Sequence, residues 1–244
     1  ADIMVPYSEN FDNWGTGSSV HAPMCYAYGS TYSTTYPYIT TTHHSGVGSM
    51  YMYCYTAGNY TYFQLPPLDV SVPLNTTEIS FYTYTSTSSY IHPVIVGVCD
   101  CANDISSFVP IDTVVAHYNI WEEQVVSFDT FTGTGRYLTF LTTPIAGYAY
   151  SYPYVDDITL TSFGTCASPN HLTAGNATPN SIDLAWHDRC AASQWQIEYG
   201  PIGFTPGTGT TVIANSNPFT LTGVPSAFQG EYRVRVICGA GDTG

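Results

Sequence analysis

The sequence predicts an all-β protein built from two β-sandwiches in series. Short segments in which apolar and polar residues alternate recur along the chain, separated by turn residues, as in SMYMYCYT, EISFYTYT, RYLTFLTT and YVDDITL. Tyrosine is abundant, at 22 residues, and is surrounded by Thr and Ser, a composition typical of strands. Helical periodicity extends over no useful length. Many short strands at regular intervals imply a sandwich or a barrel.

The charge of the chain argues against two classes of partner. Its 244 residues carry a formal net charge of −14, with no lysine and four arginines. Nucleic acids and acidic membrane surfaces both attract clustered cations, so we expect no nucleic-acid partner and no binding to such membranes. No apolar run approaches about 18 residues, so we also expect no membrane insertion. An acidic surface suits cations such as calcium.

Cysteines and glycosylation sequons indicate an oxidising, extracellular location. The seven cysteines lack the spacing of a zinc site, and CDC at 99–101 is too tight for a zinc knuckle. Three Asn-x-Thr sequons begin at Asn59, Asn75 and Asn176, and they apply only in a host that attaches N-glycans. We therefore expect a secreted glycoprotein with disulfides, in which the odd cysteine count leaves at least one thiol unpaired within the chain.

A change of pattern near SFGTCASPNHLTA, residues 162–174, predicts two domains, 1–163 and 164–244. After this boundary SIDLAWHD, QWQIEYG, TTVIANS, PFTLTGV and EYRVRVIC follow one another at close spacing. Trp186 ends the first of these segments, Trp195 opens the second, and Tyr232 follows LTGV. This order is typical of a β-sandwich with a corner tyrosine before its penultimate strand.

Both halves of the chain resemble modules of secreted cell-surface proteins of Bacteroidota. The second half resembles a fibronectin type III domain in CASPNHLTA, SIDLAWHD, WQIEYGPIGFTPGTGT, FTLTGV and YRVRVICGAGDT. The first half resembles the jelly-roll module of cleaved adhesins and MAM-like domains, in PYSENFDNW, GSMYMYC, QLPPLDVSVPLNTTEISFYTY, VGVCDCANDISSFVPIDTV, FTGTGRYLTFL and YVDDITL. This second resemblance covers nearly all of residues 5–163 and departs from the family at CDC. Together they imply a jelly-roll β-sandwich followed by a smaller fibronectin type III-like β-sandwich.

The adjacent acids of YVDDITL lead to a metal-site hypothesis, because strands disfavour Asp and neighbouring carboxylates repel. In the jelly roll that the resemblance implies, the first and last strands lie side by side, which would bring Glu9 and Asp12 near Asp156 and Asp157. Related modules hold structural calcium between such acids, so we expect Ca²⁺ bound by Glu9, Asp12 and Asp157. Strand alternation predicts that Asp156 and Asp157 do not both bind by side chain. In the alternative, one of the pair is solvent-exposed and the other caps a turn.

The function predicted from the sequence is non-catalytic binding. The chain has no GxSxG elbow, HExxH pair, P-loop or dinucleotide fingerprint, and the resemblance implies adhesion. We expect a glycan or a cell-surface protein as ligand, because aromatic rings suit sugars. The candidate aromatic residues, for which core packing is the alternative, are Trp14, Tyr26, Tyr28, Trp121 and Tyr148. A competing hypothesis is a structural subunit of an extracellular filament or surface layer, whose partners are copies of itself.

The resemblance also implies covalent features. In fibronectin-like sandwiches the positions of Cys166, Cys190 and Cys238 share one pole, so we expect one disulfide there, with Cys166–Cys238 favoured over Cys190–Cys238. Cys25 and Cys54, placed on neighbouring jelly-roll strands, are a second candidate pair. Asp112-Thr113-Val114 resembles a short O-glycosylation signal of secreted Bacteroidota proteins, with an ordinary loop threonine at Thr113 as the alternative.

One strand is missing from the predicted second sandwich. Six strand-like segments follow Cys166, whereas a fibronectin-type sandwich has seven, and GAGDTG stands where the loop before the seventh is expected. One explanation is that the chain is cut short before that strand. The other is strand donation by a neighbouring subunit, from a segment such as ADIMVPY, in which Ile3 and Val5 alternate with other residues.

Overall fold

A computed structural model describes residues 2–16, 25–33, 36–164, 166–190, 192–226, 228–239 and 242–243. The protein is all-β, as predicted, and the part of the chain described includes two short 3₁₀ turns, at Leu74–Thr76 and Ile105–Ser107. The chain forms two compact units, Ala1–Ser162 and Phe163–Gly244, and the boundary lies one residue before the predicted one. Within the described residues, no helix is long and apolar enough to span a bilayer.

The first unit is a sandwich of two large antiparallel sheets. Its thirteen strands among the described residues are β1 (Tyr7–Glu9), β2 (Ala27–Ser30), β3 (Tyr38–Thr40), β4 (Ser49–Tyr51), β5 (Cys54–Tyr55), β6 (Thr61–Gln64), β7 (Thr77–Tyr84), β8 (His92–Cys99), β9 (Val109–Ala116), β10 (Glu122–Ser127), β11 (Tyr137–Thr142), β12 (Tyr150–Ser151) and β13 (Tyr154–Ser162). One sheet has the order β10-β7-β13-β4-β3, with β1 also paired to β13, and the other has the order β2-β6-β11-β8-β9. Strands β5 and β12 form a separate ribbon. The first and last strands of this unit therefore pair, as the resemblance implied.

The core of the first unit lies between its two large sheets. Strand β7 shows why: Ile79 and Phe81 are fully buried, whereas Tyr82 and Tyr84 alternate with them and are half-buried on the other face. Phe63 and Phe140 stack across β6 and β11, with ring centroids 4.7 Å apart. Alternation on each strand thus separates an apolar inner face from an outer face rich in tyrosine.

The N-terminal segment is part of this core. Ile3 is buried, its N–H donates to the carbonyl of Pro67 at 2.8 Å, and its carbonyl accepts from the N–H of Asp69 at 2.9 Å. In this chain the segment proposed as a donated strand therefore fills its own unit, because Ile3 already has both an apolar site and backbone partners.

The second unit contains two smaller sheets. Its seven strands within the described ranges are β14 (Asn170–Gly175), β15 (Ser181–His187), β16 (Trp195–Pro201), β17 (Thr210–Ala214), β18 (Phe219–Thr222), β19 (Gly230–Gly239) and β20 (Asp242–Thr243). They form the sheets β14-β15-β18 and β17-β16-β19-β20. Trp186 and Trp195 meet edge to face in its core, with centroids 5.3 Å apart. The hydroxyl of Tyr232 donates to the carbonyl of Thr173 at 2.7 Å, which ties one sheet to the other.

The segment expected to form the loop before a missing last strand contains a two-residue strand, β20. Strand β20 pairs antiparallel with the end of β19, in the register Ile237–Thr243 and Gly239–Asp242. The sequence did not reveal it because two polar residues in a glycine-rich segment show neither alternation nor an apolar run.

The cysteines divide between one disulfide and several thiols. Cys166 is bonded to Cys238, the favoured pair, with Cα atoms 5.8 Å apart. The predicted Cys25–Cys54 bond is wrong, since Cys54 is a fully buried free thiol. The two residues are not on neighbouring strands: Cys25 precedes β2, which pairs with β6, whereas Cys54 begins β5, which pairs with β12.

Candidate ligand-binding face

A row of aromatic side chains crosses the outer face of the first unit's six-stranded sheet. Strand register places one ring from each of five neighbouring chain segments side by side. Its members, in order across the sheet, are Tyr38, Tyr51, Tyr154, Tyr84 and Trp121. Because strands are about 4.8 Å apart, five such positions extend over roughly 19 Å. We call this set the aromatic row.

The rings of the aromatic row are in continuous contact. Tyr38 and Tyr51 have centroids 5.2 Å apart, and Tyr51 and Tyr154 are 4.6 Å apart. Tyr154 meets Tyr84 edge to face at 5.5 Å, and Tyr84 stacks on Trp121 at 5.0 Å. Such contacts stabilise each ring by about 0.5–1.5 kcal/mol beyond burial, so the row is pre-ordered.

Further tyrosines extend the row beyond the sheet. Tyr36 joins Tyr38 to Tyr53, with centroids 5.5 Å and 4.7 Å away, and Tyr53 stacks on Tyr152 at 5.7 Å. Four more tyrosines continue this network and are Tyr32, Tyr55, Tyr90 and Tyr150. By contrast, six phenylalanines of the same unit are buried in the core: Phe11, Phe63, Phe81, Phe128, Phe131 and Phe140. Phenylalanine thus fills the interior, while tyrosine covers an outer face where its hydroxyl can meet water or a ligand.

Four phenols of this face, those of Tyr38, Tyr51, Tyr53 and Tyr154, stay protonated near neutral pH. Burial, followed by the neighbouring tyrosines, raises the pKa of Tyr38 and Tyr51 above the usual range, and the same causes raise the pKa of Tyr53 to about 12. Burial also raises the pKa of Tyr154. Each hydroxyl can therefore both donate and accept a hydrogen bond.

The two adjacent acids of YVDDITL hold a loop against the end of the aromatic row. Asp156 is fully buried, and its Oδ2 accepts from the N–H groups of His44 at 2.7 Å and Ser45 at 3.3 Å. Asp157 Oδ2 lies 2.6 Å from His44 Nδ1, and its Oδ1 accepts from the Ser45 hydroxyl at 2.7 Å. The His44 ring stacks on Tyr82 at 3.6 Å and lies 5.9 Å from Trp121.

Both acids reach the same loop because β13 is irregular. Alternation predicted opposite faces, but the pairing register with β7 shifts between Asp156 and Thr159, and Asp157 has a φ of 47°. Burial raises the pKa of Asp156 to about 6, opposed by the donated backbone hydrogen bonds. Asp156 thus accepts hydrogen bonds from backbone N–H groups, as a turn-capping acid does, although it is buried within a strand.

The other two predicted calcium ligands, Glu9 and Asp12, also accept hydrogen bonds from groups of the protein. Glu9 Oε1 accepts from the N–H of Phe11 at 2.7 Å, and its Oε2 accepts from the hydroxyl of Tyr26 at 2.5 Å. Asp12 Oδ1 accepts from the N–H of Val47 at 2.6 Å. Over the described ranges, no group of three or more His, Cys, Asp and Glu side chains is arranged to hold a metal ion.

Glu9 and Asp157 nevertheless share a polar cavity of about 400 Å³ with Asn10 and Asn13. Carboxylate and amide oxygens are the donor types that suit a hard cation. Asp12 and Asp156 do not line this cavity. Of the four predicted acids, Asp12, Asp156 and Asp157 hold the loop at 44–47, and Asp157 also faces the cavity together with Glu9.

The predicted ligand-binding aromatics fall in different places. Trp14 is 2% exposed and packs against Phe11 and Tyr26 in the core, so it cannot meet a ligand in the folded state. Tyr26 packs against this core, and its hydroxyl is bonded to Glu9 and Tyr7. Tyr28 lies on β2, at the edge of the other sheet.

Trp121 and Tyr148 are the two candidates that belong to the tyrosine-rich face. Trp121 ends the aromatic row, and Tyr148 is 36% exposed and joins the network through Tyr90 at 6.2 Å. Sequence reasoning did not select the other row members. The available signal was the Tyr-x-Tyr alternation of YMYCY, FYTY and YAYSYPY, which places tyrosines on one face of each strand.

The predicted glycosylation positions lie at or near the surface. Thr113 is exposed on the edge strand β9 rather than in a loop. Asn75 and Asn176 are exposed, whereas Asn59 is half-buried and its side-chain amide donates to the carbonyl of Tyr55 at 3.1 Å.

Solved structures with a similar fold include adhesin and carbohydrate-binding domains. The K1 cleaved adhesin domain of Lys-gingipain from Porphyromonas gingivalis W83 has a TM-score of 0.49 at 14% identity, over 66% of this chain and 100% of that one. The K2 cleaved adhesin domain of Lys-gingipain has a TM-score of 0.49 at 12% identity, over 64% and 99%. The CBM22-1 xylan-binding domain from Paenibacillus barcinonensis Xyn10C has a TM-score of 0.42 at 16% identity, over 64% and 92%. No protein-family model matches the chain, and no curated protein is significantly similar to it in sequence.

Proposed function

We propose that this protein is a non-catalytic, extracellular glycan-binding protein and that the aromatic row holds the sugar chain. The observation that carries this proposal is the register of Tyr38, Tyr51, Tyr154, Tyr84 and Trp121 across one outer sheet face. A sugar ring has an apolar face of C–H groups and a rim of hydroxyls. Tyrosine matches both, because its ring is apolar and its tip can donate or accept a hydrogen bond.

The shape of the row suits an extended ligand. A linear face of roughly 19 Å accommodates a chain of several sugar rings rather than one. Ring–ring contacts hold the side chains before a ligand arrives, which reduces the entropy lost on binding. The half-buried rings leave apolar surface and hydroxyls at the solvent boundary.

The second unit is proposed as a fibronectin type III-like spacer or interaction module. Three observations support this: the sheets β14-β15-β18 and β17-β16-β19-β20, the paired core residues Trp186 and Trp195, and the Tyr232 hydroxyl bonded across to β14.

A structural calcium ion is proposed for the polar cavity lined by Glu9, Asn10, Asn13 and Asp157. The support is the donor chemistry of this cavity, two carboxylates and two amides. An ion here would tie β1 to the irregular part of β13. Thermal unfolding with Ca²⁺ and with a chelator tests the idea: Ca²⁺ at about 100 times its dissociation constant adds about 2.7 kcal/mol to the folded state. The ion would be excluded if the wild type had the same melting midpoint with Ca²⁺ and with the chelator, and if Asp157→Asn had that same midpoint.

Binding to a panel of immobilised linear glycans tests the main proposal. We expect Trp121→Ala and Tyr51→Ala each to weaken binding by about ten-fold or more, since each removes a ring worth about 1.5–3 kcal/mol. Tyr28→Ala is the matched control, because Tyr28 is 39% exposed and lies on the other sheet. Loss of binding in the control, with retention in the row variants, would contradict the assignment.

A further inference from the structure

Charge is distributed unevenly between the two units. Residues 1–162 contain thirteen acidic residues and one arginine, a formal charge of −12, whereas residues 163–244 contain five acids and three arginines, a formal charge of −2. Arg136, the arginine of the first unit, donates to the carbonyl of Leu68 at 2.8 Å and to Asp2 at 3.2 Å, next to β11 of the other sheet. Among the described residues of the first unit, no lysine or arginine therefore lies on the sheet that carries the aromatic row.

Along the row, charge is confined to one end. The segments that supply Tyr38, Tyr51 and the neighbouring tyrosines contain no Asp, Glu, Lys or Arg at all between residues 13 and 68, nor between residues 137 and 155. The Trp121 end is different, since Glu123, on β10 two residues after Trp121, is exposed and pairs in register with Tyr82. Asp157 contacts His44, which stacks on the same Tyr82.

We propose that the Trp121 end of the row is a subsite for a free amino group, so that the protein selects glycans carrying amino sugars over acidic ones. This inference rests on the proposed glycan-binding function and specifies its ligand class. The subsite consists of the rings of Trp121 and Tyr84 and the carboxylate of Glu123, beside the His44 ring that stacks on Tyr82.

Two physical effects act together there. A cation near an aromatic face is attracted to the ring quadrupole, most strongly for Trp. Glu123 adds a negative charge about 5–8 Å from these rings, the range of distances between directly opposite and diagonal cross-strand neighbours. The uncharged part of the row then holds neutral sugar rings. A polycationic peptide, the competing type of cationic ligand, has no such rings. An acidic polysaccharide would meet a surface of its own sign and is repelled.

The test compares two ligands of the same length, a β-1,4-linked glucosamine tetramer and its fully N-acetylated counterpart, which lacks the positive charge. By calorimetry at low salt, we expect the glucosamine tetramer to bind about five- to thirty-fold more tightly. Added salt should reduce the difference. Glu123→Gln should reduce the preference for the glucosamine tetramer at least about three-fold, with little effect on the affinity for the N-acetylated tetramer. Glu78→Gln is the control, because Glu78 lies four residues, about 13 Å, along β7 from Tyr82.

The possible outcomes separate this inference from the proposed function. Equal affinity for the two tetramers, with both lost in Trp121→Ala, would leave glycan binding in place and overturn the amino-group subsite. Equal binding of a lysine oligopeptide would overturn it too, because charge alone would then explain the preference. If neither tetramer binds and no glycan of the panel binds, both the amino-group subsite and the proposed glycan-binding function are overturned.

Discussion

Tyr84 stacks on Trp121, with ring centroids 5.0 Å apart and an angle of 23° between the ring planes. The two residues are far apart in sequence and meet because β7 and β10 pair antiparallel. The same pairing brings Glu123 opposite Tyr82. A single strand register thus creates both the end of the aromatic row and its neighbouring charge.

Substitutions of Tyr84 separate the role of its ring from that of its hydroxyl. Tyr84→Phe keeps the stacking and loses one 3.4 Å hydrogen bond to Asn119, so we expect stability within about 0.5 kcal/mol of wild type. Tyr84→Ala removes two ring contacts and should cost about 1–3 kcal/mol and most of the glycan affinity. Urea unfolding and glycan binding measure the two effects. Equal losses in both variants would show that the ring contacts are unimportant.

Gly46 is predicted to be essential for the loop at 44–47. Its φ is 68°, and a Cβ there would lie 2.2 Å from both carboxylate oxygens of Asp12. Gly58→Ala is a matched control, with a φ of 93° and nothing within 4 Å of its Cβ. We expect Gly58→Ala to cost about 1–2 kcal/mol from backbone strain, and Gly46→Ala about 1–3 kcal/mol more from the clash. Thermal unfolding of the two variants checks this, and equal losses would contradict it.

Loss of the Cys166–Cys238 disulfide should destabilise the second unit selectively. The bond joins residues 72 positions apart, and closing a loop of this length contributes about 4 kcal/mol through the unfolded state. A Cys166→Ser/Cys238→Ser variant is expected to show this loss, and Cys190→Ser is the control. Hydrogen exchange resolved by peptide reports the two units separately. Faster exchange in β1–β13 as well, to the same extent, would contradict a selective effect.

His92 predicts a pH dependence of stability. It is fully buried, and its Nδ1 accepts from the N–H of Tyr152 at 3.0 Å. Burial lowers the pKa of His92 to about 4, from about 6.5 in the unfolded chain. Between these values the unfolded chain binds a proton that the folded chain does not, so stability falls as the pH drops through this window, by up to about 3 kcal/mol.

The comparison variant for this prediction is His92→Gln. Because Asp156 titrates in both proteins, the difference between their urea-unfolding free energies isolates the histidine. We expect wild type to lose more stability than the variant between about pH 7 and pH 4. Parallel pH profiles would show that His92 contributes nothing in this range.

Much of the fold could be predicted from local pattern. Alternation in EISFYTYT identified β7 correctly, because one buried face imposes a two-residue period. The Cys166–Cys238 pair, which the resemblance to fibronectin-like sandwiches implied, is present. Strand β20 was missed because its two polar residues have no such period. Cys25 and Cys54 were misplaced because Cys25 precedes β2, which pairs with β6, whereas Cys54 begins β5, which pairs with β12.

The candidate site was harder to predict than the fold. Trp14 and Trp121 have the same side chain, yet one lies in the core and the other at the end of the aromatic row. The sequence next to Trp14 and Trp121 does not show which of them is buried, because burial depends on which element of the fold packs over each side chain. The shared orientation of Asp156 and Asp157 was likewise hidden, because an irregular pairing interrupts the alternation on which the prediction relied.

The sequence by itself determined that this protein is all-β, acidic and rich in tyrosines that alternate along its strands, because composition and two-residue periodicity are local properties. Only the tertiary structure decided that Tyr38, Tyr51, Tyr154, Tyr84 and Trp121 form one row, and that Glu123 and Asp157 lie at one end of it. The physical reason is register. A shift of one residue between any two strands would move a ring to the opposite face, and register is set by the packing of the whole sandwich.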